Sequence, residues 1–257
     1  MYRRSYRLLT IDLDDTLWPC GPAIAAAEQA LYDWLRLVAP RLTDIYDPAS
    51  LRLHRGQLMA NLPDMAHDLT RVRRESLSAL LTEQGYSETL ADEAVDLFRQ
   101  HRNRVEPYRD VMPALSRLSD RYLLVSVTNG NAEVDQTSLS GLFHLSLSAA
   151  DVGAAKPDPA LFIRALDWAG AEPGQCLHIG DDPVRDVEAA CQFGIDTVWV
   201  NRRGSSWPEG LEPPTFEVTR LDELCNILRA CTAGAKRNRI GSDHQPPKKP
   251  QTCPRKV

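Results

Sequence analysis

The sequence has no apolar run as long as the roughly 20 residues that a membrane-spanning helix requires. Its basic start, MYRRSYRLLTIDLDD, reaches the acidic residue Asp12 too early for the apolar segment of a signal peptide. The six cysteines are scattered and form no Cys-x-x-Cys pair, which argues against a disulfide framework or a zinc site. We therefore expect a cytoplasmic protein with reduced thiols and no membrane partner.

An excess of positive charge is also lacking. The formal net charge is -5 over 257 residues, so no nucleic-acid partner is expected. Hydrophobic residues make up 43% and charged residues 25% of the chain, which is the usual balance of a globular protein. Residues 233–257 differ, since they are rich in Lys, Arg and Pro and nearly free of large apolar side chains. This tail is predicted to be disordered because it has little apolar surface to bury.

Four short apolar runs predict buried parallel strands, and each ends at Asp, Asn or Gly: YRLLTIDL, RYLLVSVTN, QCLHIGD and DTVWVN. Helical patterns follow these runs at residues 110–118, 159–168, 184–193 and 221–230. Strands and helices in alternation predict an α/β fold with a Rossmann-like open parallel sheet. Ligands of such sheets bind outside the carboxyl ends of the strands.

The region between residues 22 and 105 breaks this alternation, because it contains no convincing strand. Its patterns predict four helices, at residues 22–38, 48–60, 65–84 and 87–104. An all-helical block directly after the first strand predicts an inserted cap over the strand ends. We expect a catalytic core formed by residues 1–17 and 106–232, a helical cap over 18–105 and the tail at 233–257.

Acidic residues follow two of the predicted strands. Asp12 and Asp14 end the first, and HIGDDPVRD supplies Asp181, Asp182 and Asp186 after another. A parallel sheet brings both clusters to one edge, where the carboxylates repel each other unless a cation is bound. Oxygen ligands without paired His or Cys suit Mg²⁺. The alternative is two unrelated acidic turns in solvent.

Two further stretches carry groups that can bind phosphate. SVTNG places Thr128, Asn129 and Gly130 after a strand, where a hydroxyl, an amide and backbone N–H groups can donate to phosphate oxygens. GAAKPDP holds Lys156 in extended backbone before Pro157, and its ammonium can balance negative charge. Taken singly, a common turn and a solvated surface lysine explain these stretches equally well.

Four motifs occur in this order along the chain: DxDxT, TNG, KP and GDDxxxxD. Three of the four lie at the ends of predicted strands. In this respect the sequence resembles the haloacid dehalogenase-like (HAD) hydrolases. The helical insert is similar to the cap of the subgroup with an α-helical C1 cap. The resemblance implies that Asp12 is the nucleophile and a Mg²⁺ ligand. It also implies that Asp14 is the general acid/base and binds Mg²⁺ through its backbone carbonyl.

The resemblance extends to the remaining motifs. Thr128 and the backbone of Asn129 would hold the phosphoryl group, and Lys156 would neutralise charge on Asp12 and the phosphate. Asp181 would bind Mg²⁺ directly and Asp186 through a water, while Asp182 would only orient its neighbours or lie near the metal.

Three function classes follow from this set of residues. The first is a Mg²⁺-dependent phosphomonoesterase acting through an aspartyl-phosphate on Asp12. The second is a 2-haloacid dehalogenase, which the acid Asp14 disfavours because carbon–halogen displacement needs no acid at that position. The third is a non-catalytic binding protein, which should have lost a catalytic group, whereas every expected group is present.

The substrate is suggested by the cap. His67, Arg71 and Arg74 lie at i, i+4 and i+7, so they share a helical face that could hold substrate oxygens or simply face solvent. Trp18 could stack on a flat ring or pack at the hinge. HDLTRVR, IDLDDTL and VTNGNAE are similar to stretches of bacterial phosphatases that act on flavin mononucleotide (FMN) and on the riboflavin precursor 5-amino-6-(5-phospho-D-ribitylamino)uracil.

Nucleotide 5′-phosphates and sugar phosphates remain alternative substrates. In each case the expected partner is a small phosphorylated metabolite. The chain is expected to act as a monomer or a homodimer.

Overall fold

A six-stranded parallel sheet forms the centre of the protein. The computed structural model describes the backbone of residues 5–233 and the side chains of residues 5–228. In chain order the strands are β1 (Leu8–Ile11), β2 (Leu123–Thr128), β3 (Leu145–Ser148), β4 (Cys176–Gly180), β5 (Asp196–Val200) and β6 (Phe216–Val218). Their order in the sheet is β3-β2-β1-β4-β5-β6, and every neighbouring pair is parallel.

The helices fall into two groups along the chain. Between β1 and β2 lie α1 (Cys20–Val38), α2 (Pro40–Thr43), α3 (Pro48–Asn61), α4 (Leu69–Glu83) and α5 (Thr89–Arg102), followed by α6 (Val111–Ser119). The remaining helices are α7 (Ala149–Val152), α8 (Ala160–Ala169), α9 (Ala189–Gln192) and α10 (Leu221–Ala233). No helix in the described part of the chain combines the length and the apolar composition needed to cross a bilayer.

Alternating side chains of the fully buried strand β1 face two apolar layers. Leu9 packs in one layer with Leu115 of α6 and Leu224 of α10, whereas Leu8 packs in the other with Phe162 of α8. This alternation follows from the two-residue period of a strand. The register places Ile11 beside Ser126 of β2 and Ile179 of β4, so the three central strands end close to one level.

Helices α1 to α5 pack around a separate apolar core. Its members are buried leucines, alanines and Phe98, including Leu31 and Leu35 of α1 and Leu80 of α4. The four predicted helices are all present, and α2 adds a single turn after Pro40. The helical insert therefore buries its own apolar faces instead of relying on the sheet.

The structure adds two strands that the apolar runs did not predict, β3 and β6, at the two edges of the sheet. They contain only four and three residues, and several of these are partly exposed. The predicted disordered tail, 233–257, lies outside the described residues except for Ala233 at the end of α10.

Candidate functional site

The chain turns sharply after β1, between Asp12 and Trp18. The Asp12 N–H still donates to the Ile179 carbonyl at 2.9 Å, so Asp12 is fixed to the end of the sheet. Asp15 adopts a left-handed backbone with φ of 60°, which Asp tolerates better than bulkier residues. Its carboxylate accepts from the Cys20 N–H at 3.0 Å and so fixes the entry into α1. This turn brings the Asp14 carboxyl back to the strand ends.

Asp12 and Asp14 open into a cleft of about 310 Å³. We call it the acidic cleft, because Asp181 and Asp186 also line it, together with Lys156. The convergence expected from the two acidic clusters is therefore present in the structure.

Lys156 lies at the centre of this group, almost fully buried. Its Nζ donates to Oδ1 of Asp12 at 2.7 Å, to Oδ1 of Asp186 at 2.6 Å and to the Val127 carbonyl at 2.9 Å. These bonds use all three donors of the ammonium. Burial by itself would lower the pKa of Lys156, but Asp12 and Asp186 together raise it above its ordinary value. The two carboxylates therefore favour the charged form of Lys156.

The acidic groups differ in how well their charge is compensated. Burial tends to raise the pKa of Asp186, but Lys156 and His178 lower it well below its usual range. Burial raises the pKa of Asp12 despite Lys156, and the charges on Asp186 and Asp181 add to that rise. Burial and the charge on Asp186 raise the pKa of Asp181 to about 7. One lysine therefore does not balance the three carboxylates.

The donor set fits a hard divalent cation. Asp12, Asp181 and Asp186 each place one carboxylate oxygen within 4.8 Å of the others. The Thr16 hydroxyl lies 3.1 Å from both Asp12 Oδ2 and Asp181 Oδ1 and keeps these two carboxyl groups side by side. Three carboxylates facing one ammonium leave two negative charges, which a divalent ion would neutralise. Oxygen ligands of this kind match Mg²⁺.

The segment after β4 shapes the second half of the acidic cleft. A Cβ on Gly180 would collide with the Asp186 carboxyl group, so this position requires glycine. Asp182 Oδ1 accepts from the backbone N–H groups of Val184 and Arg185 and caps a π-helical turn at Pro183–Glu188. Asp182 thus orients the turn that carries Asp186.

His178 supports Asp186 from inside the sheet. Its Nε2 lies 3.2 Å from Asp186 Oδ1, and its Nδ1 lies 3.0 Å from the Thr10 hydroxyl. Burial lowers the pKa of His178, which favours the neutral ring. A histidine within an otherwise apolar strand was a sequence signal for this contact that the motif analysis did not use.

The turn after β2 supplies hydrogen-bond donors near Asp14. The Thr128 hydroxyl accepts from the Gly130 N–H at 3.0 Å, and a Cβ on Gly130 would lie 2.6 Å from Asp14 Oδ2. The Asn129 amide exchanges two hydrogen bonds with the backbone of Lys156, at 2.8 and 2.7 Å. The Asn129 side chain thus positions the backbone of Lys156.

The carboxyl group of Asp14 is held by two donors. Trp18 Nε1 donates to Oδ1 at 2.8 Å, and Nη2 of Arg102 lies 2.5 Å from Oδ1 and 2.6 Å from Oδ2. Arg102 ends α5 and is almost completely buried. Within the described part of the protein, its Nε and Nη1 have no hydrogen-bond partner. The contact between Arg102 and Asp14 was not predicted, because 88 residues separate the two in the chain and Arg102 belongs to no recognised motif.

None of the three substrate-contacting residues expected in the cap lines the acidic cleft. Trp18 is 0% exposed, so its ring cannot stack on a substrate, and it positions Asp14 instead. Arg74 Nε pairs with Asp92 of α5 at 2.7 Å. Arg71 is exposed on α4. Among the described residues that line the acidic cleft, neither arginine is present.

This chain is similar in sequence to known hydrolases. A family model described as haloacid dehalogenase-like hydrolase matches residues 6–194. The curated relative 5-amino-6-(5-phospho-D-ribitylamino)uracil phosphatase YigB of Escherichia coli is 28% identical, over 86% of this chain and 95% of its own length. A phosphoserine phosphatase of Thermus thermophilus is 35% identical over 62% of this chain and 64% of its own length.

Among solved structures, the chain is similar to one described as 2-haloacid dehalogenase from Pseudomonas syringae pv. tomato. The two chains are 36% identical and superpose with a TM-score of 0.83, over 88% of this chain and 99% of the other. The relatives therefore include proteins named for two reactions, which the chemistry of the acidic cleft must distinguish.

Proposed function

Because this chain belongs to the haloacid dehalogenase-like hydrolases, we propose that it is a divalent-metal-dependent phosphomonoesterase that acts through an aspartyl-phosphate. One observation carries the proposal. Asp14 lines the same cleft as a cluster of three carboxylates that fits a divalent cation. A phosphoryl group needs both features, since it is anionic and its alkoxide leaving group must be protonated. Displacement of a halide from carbon needs neither, because the halide leaves as a stable anion.

In the first step Asp12 attacks phosphorus, forming the Asp12 oxygen–phosphorus bond as the bond to the leaving oxygen breaks. Lys156 holds Oδ1 of Asp12 at 2.7 Å and keeps the carboxylate fixed while its charge approaches an anionic group. The Thr128 hydroxyl and the backbone of the 128–130 turn would bind the oxygens of the transferring group.

Asp14 gives a proton to the leaving oxygen in the first step and takes one from water in the second. In the structure Asp14 accepts hydrogen bonds from Trp18 and Arg102, which hold its carboxyl group in place at the cleft. Asp12, Asp181 and Asp186 would hold Mg²⁺, together with the Asp14 carbonyl. The ion would neutralise negative charge as the phosphate meets the carboxylates.

For the physiological substrate we favour FMN or 5-amino-6-(5-phospho-D-ribitylamino)uracil. Support for the second of these comes from the match with the Escherichia coli relative, which is named for that substrate and is covered over 95% of its length. Nucleotide 5′-phosphates and sugar phosphates are the alternatives. We further propose that the protein works in the cytoplasm, as the free thiols of Cys20, Cys176 and Cys191 suggest.

The proposed function is tested by incubating the purified protein and Mg²⁺ with a panel of phosphate monoesters and with 2-chloropropionate. We expect inorganic phosphate to be released from the esters and no chloride from the haloacid. Acid-quenched samples should contain a fraction of protein heavier by one phosphoryl group. Chloride release without phosphate release would reject the phosphatase in favour of the dehalogenase.

The contact between Arg102 and Asp14 gives a further prediction. Arg102→Met should lower kcat about tenfold to a hundredfold, the equivalent of one lost charge-assisted hydrogen bond. KM should change less, because the lost contact positions Asp14. Arg102→Lys should restore part of the rate.

Arg104→Met is the matched control, since Arg104 is exposed two residues further along the chain. It should leave both kinetic constants unchanged. A positioning role for Arg102 is rejected if Arg102→Met folds normally and retains kcat within twofold.

A further inference from the structure

A second cavity, of about 510 Å³, adjoins the acidic cleft. We call it the side cavity. Its upper wall comes from the helical insert, at 67–70 and Arg99, and its lower wall from β2, β3 and the loop at 130–136. Leu69, Thr128 and Gly130 line both spaces. The two spaces are therefore neighbours, and the leaving group of a phosphate ester with its phosphorus at Asp12 would lie next to the side cavity.

The walls of the side cavity are held in place by contacts between the insert and the core. Arg99 of α5 donates to Glu133 Oε1 through Nη2 at 2.6 Å and Nε at 3.0 Å. The Asn131 amide lies 3.3 Å from the Thr70 hydroxyl. These bonds join the two walls across the cavity, so its shape depends on how the insert sits on the core.

The lining is rich in uncharged polar groups: Thr70, Ser126, Asn131, Gln136, Ser146 and Ser148. Among the described residues that line the cavity there is no Phe, Tyr or Trp. A flat ring would find no large aromatic side chain to stack on within it, since the imidazole of His67 is the one aromatic ring among the described lining residues. A chain of hydroxyl groups would find several donors and acceptors.

Ser126 gives the strongest single indication that the side cavity binds a polar group. Its side chain lines the side cavity and is 1% exposed. No described group is within hydrogen-bond distance of its Oγ. An unpaired buried hydroxyl is costly, so such groups are usually satisfied. Ser126 lies two residues before Thr128 on β2, and the two side chains therefore face the same side of the sheet.

The charged side chains of the lining disfavour a second anion. Acidic residues outnumber basic ones among the described lining residues, with Asp68, Glu133, Asp135 and Asp151 against Arg99 and His67, and Arg99 is already paired with Glu133. Asp151 accepts from the Ser148 backbone and hydroxyl and so faces the same wall. A leaving group that carries a carboxylate or a second phosphate would be repelled here.

We propose that the side cavity binds an uncharged, polyhydroxylated leaving group and that Ser126 exchanges a hydrogen bond with one of its hydroxyls. This inference rests on the proposed phosphatase function. It names the substrate class as polyol phosphates. In these, the carbons beyond the one that carries the phosphate have free hydroxyls. It excludes phosphorylated acids and aryl phosphates as preferred substrates.

The test compares ribitol 5-phosphate with acetyl phosphate, which carries the reacting group but no polyol. In the full-length protein with Mg²⁺, kcat/KM should be higher for ribitol 5-phosphate than for 3-phosphoglycerate or 4-nitrophenyl phosphate. Ser126→Ala should lower the ratio of kcat/KM for ribitol 5-phosphate to that for acetyl phosphate by about three- to tenfold, as expected for one uncharged hydrogen bond.

Ser116→Ala is the control, because it removes a hydroxyl from the exposed face of α6, where Ser116 donates to the Met112 carbonyl. It should leave the ratio unchanged. Gln136→Trp provides a second variant that narrows the side cavity from an exposed position, and it should lower the same ratio.

The possible outcomes distinguish a failure of the inference about the side cavity from a failure of the proposed phosphatase function. Hydrolysis of acetyl phosphate with an unchanged ratio in Ser126→Ala and Gln136→Trp overturns the inference and leaves the phosphatase standing. A preference for 3-phosphoglycerate or 4-nitrophenyl phosphate also overturns it. Failure to hydrolyse any phosphate, acetyl phosphate included, overturns the proposed function and the inference with it.

Discussion

Asp12→Asn should reduce phosphate release by roughly a thousandfold or more, because removal of a nucleophile eliminates the covalent route. An amide is a far weaker nucleophile than a carboxylate and lacks its negative charge. The fold should persist, since Lys156 would still donate to Asp186 and to the Val127 carbonyl. Steady-state phosphate release measures the effect, and circular dichroism checks the fold.

The matched control is Asp44→Asn, which makes the same chemical change at an exposed residue at the end of α2. This variant should keep wild-type activity. The covalent phosphoryl group trapped by acid in the wild type should be missing from Asp12→Asn. Activity of Asp12→Asn within tenfold of the wild type would reject Asp12 as the nucleophile.

Removal of divalent metal should have the second large effect. Chelation with EDTA should lower phosphatase activity by roughly a hundredfold or more, since the ion offsets several kcal/mol of charge repulsion in the transition state. It should also lower thermal stability. A ligand at a hundred times its Kd stabilises the folded state by about 2.7 kcal/mol. In a chain of this size that corresponds to about 5–10 °C in Tm.

The stability measurement locates the metal independently of activity. Asp181→Asn removes one of the three clustered carboxylates, so adding Mg²⁺ should raise its Tm much less than that of the wild type. Asp120→Asn, at an exposed position after α6, should respond to Mg²⁺ like the wild type. Full activity after exhaustive chelation, or an equal response of Asp181→Asn and the wild type, would contradict the assignment.

The fold was largely predictable, because each of its main signals is local. Apolar runs that end at Asp, Asn or Gly predicted β1, β2, β4 and β5, and the helical pattern of residues 22–104 predicted the insert. The edge strands β3 and β6 were missed. They are short and partly exposed, so they carry no continuous apolar run to distinguish them from loops.

The candidate site was also predicted only in part. The convergence of Asp12, Asp181 and Asp186 could be predicted, because parallel strands deliver their carboxyl ends to one edge of the sheet. Trp18 has a ring that can stack and Arg74 has a charge that can bind substrate oxygens, so both were expected to contact the substrate. Residue type and helical spacing do not determine which neighbour a side chain contacts in the folded protein. The structure pairs Trp18 with Asp14 and Arg74 with Asp92.

By itself the sequence determined the α/β fold, the position of the helical insert and the carboxylates and lysine of the acidic cleft. Each of these follows from short stretches whose apolar pattern fixes a strand or a helix and the polar residues at its end. Only the tertiary structure decided that Arg102 contacts Asp14 and that Ser126 faces a cavity without a partner. Both depend on how the helical insert packs against the sheet, and this packing joins residues far apart in the chain by contacts that no local pattern encodes.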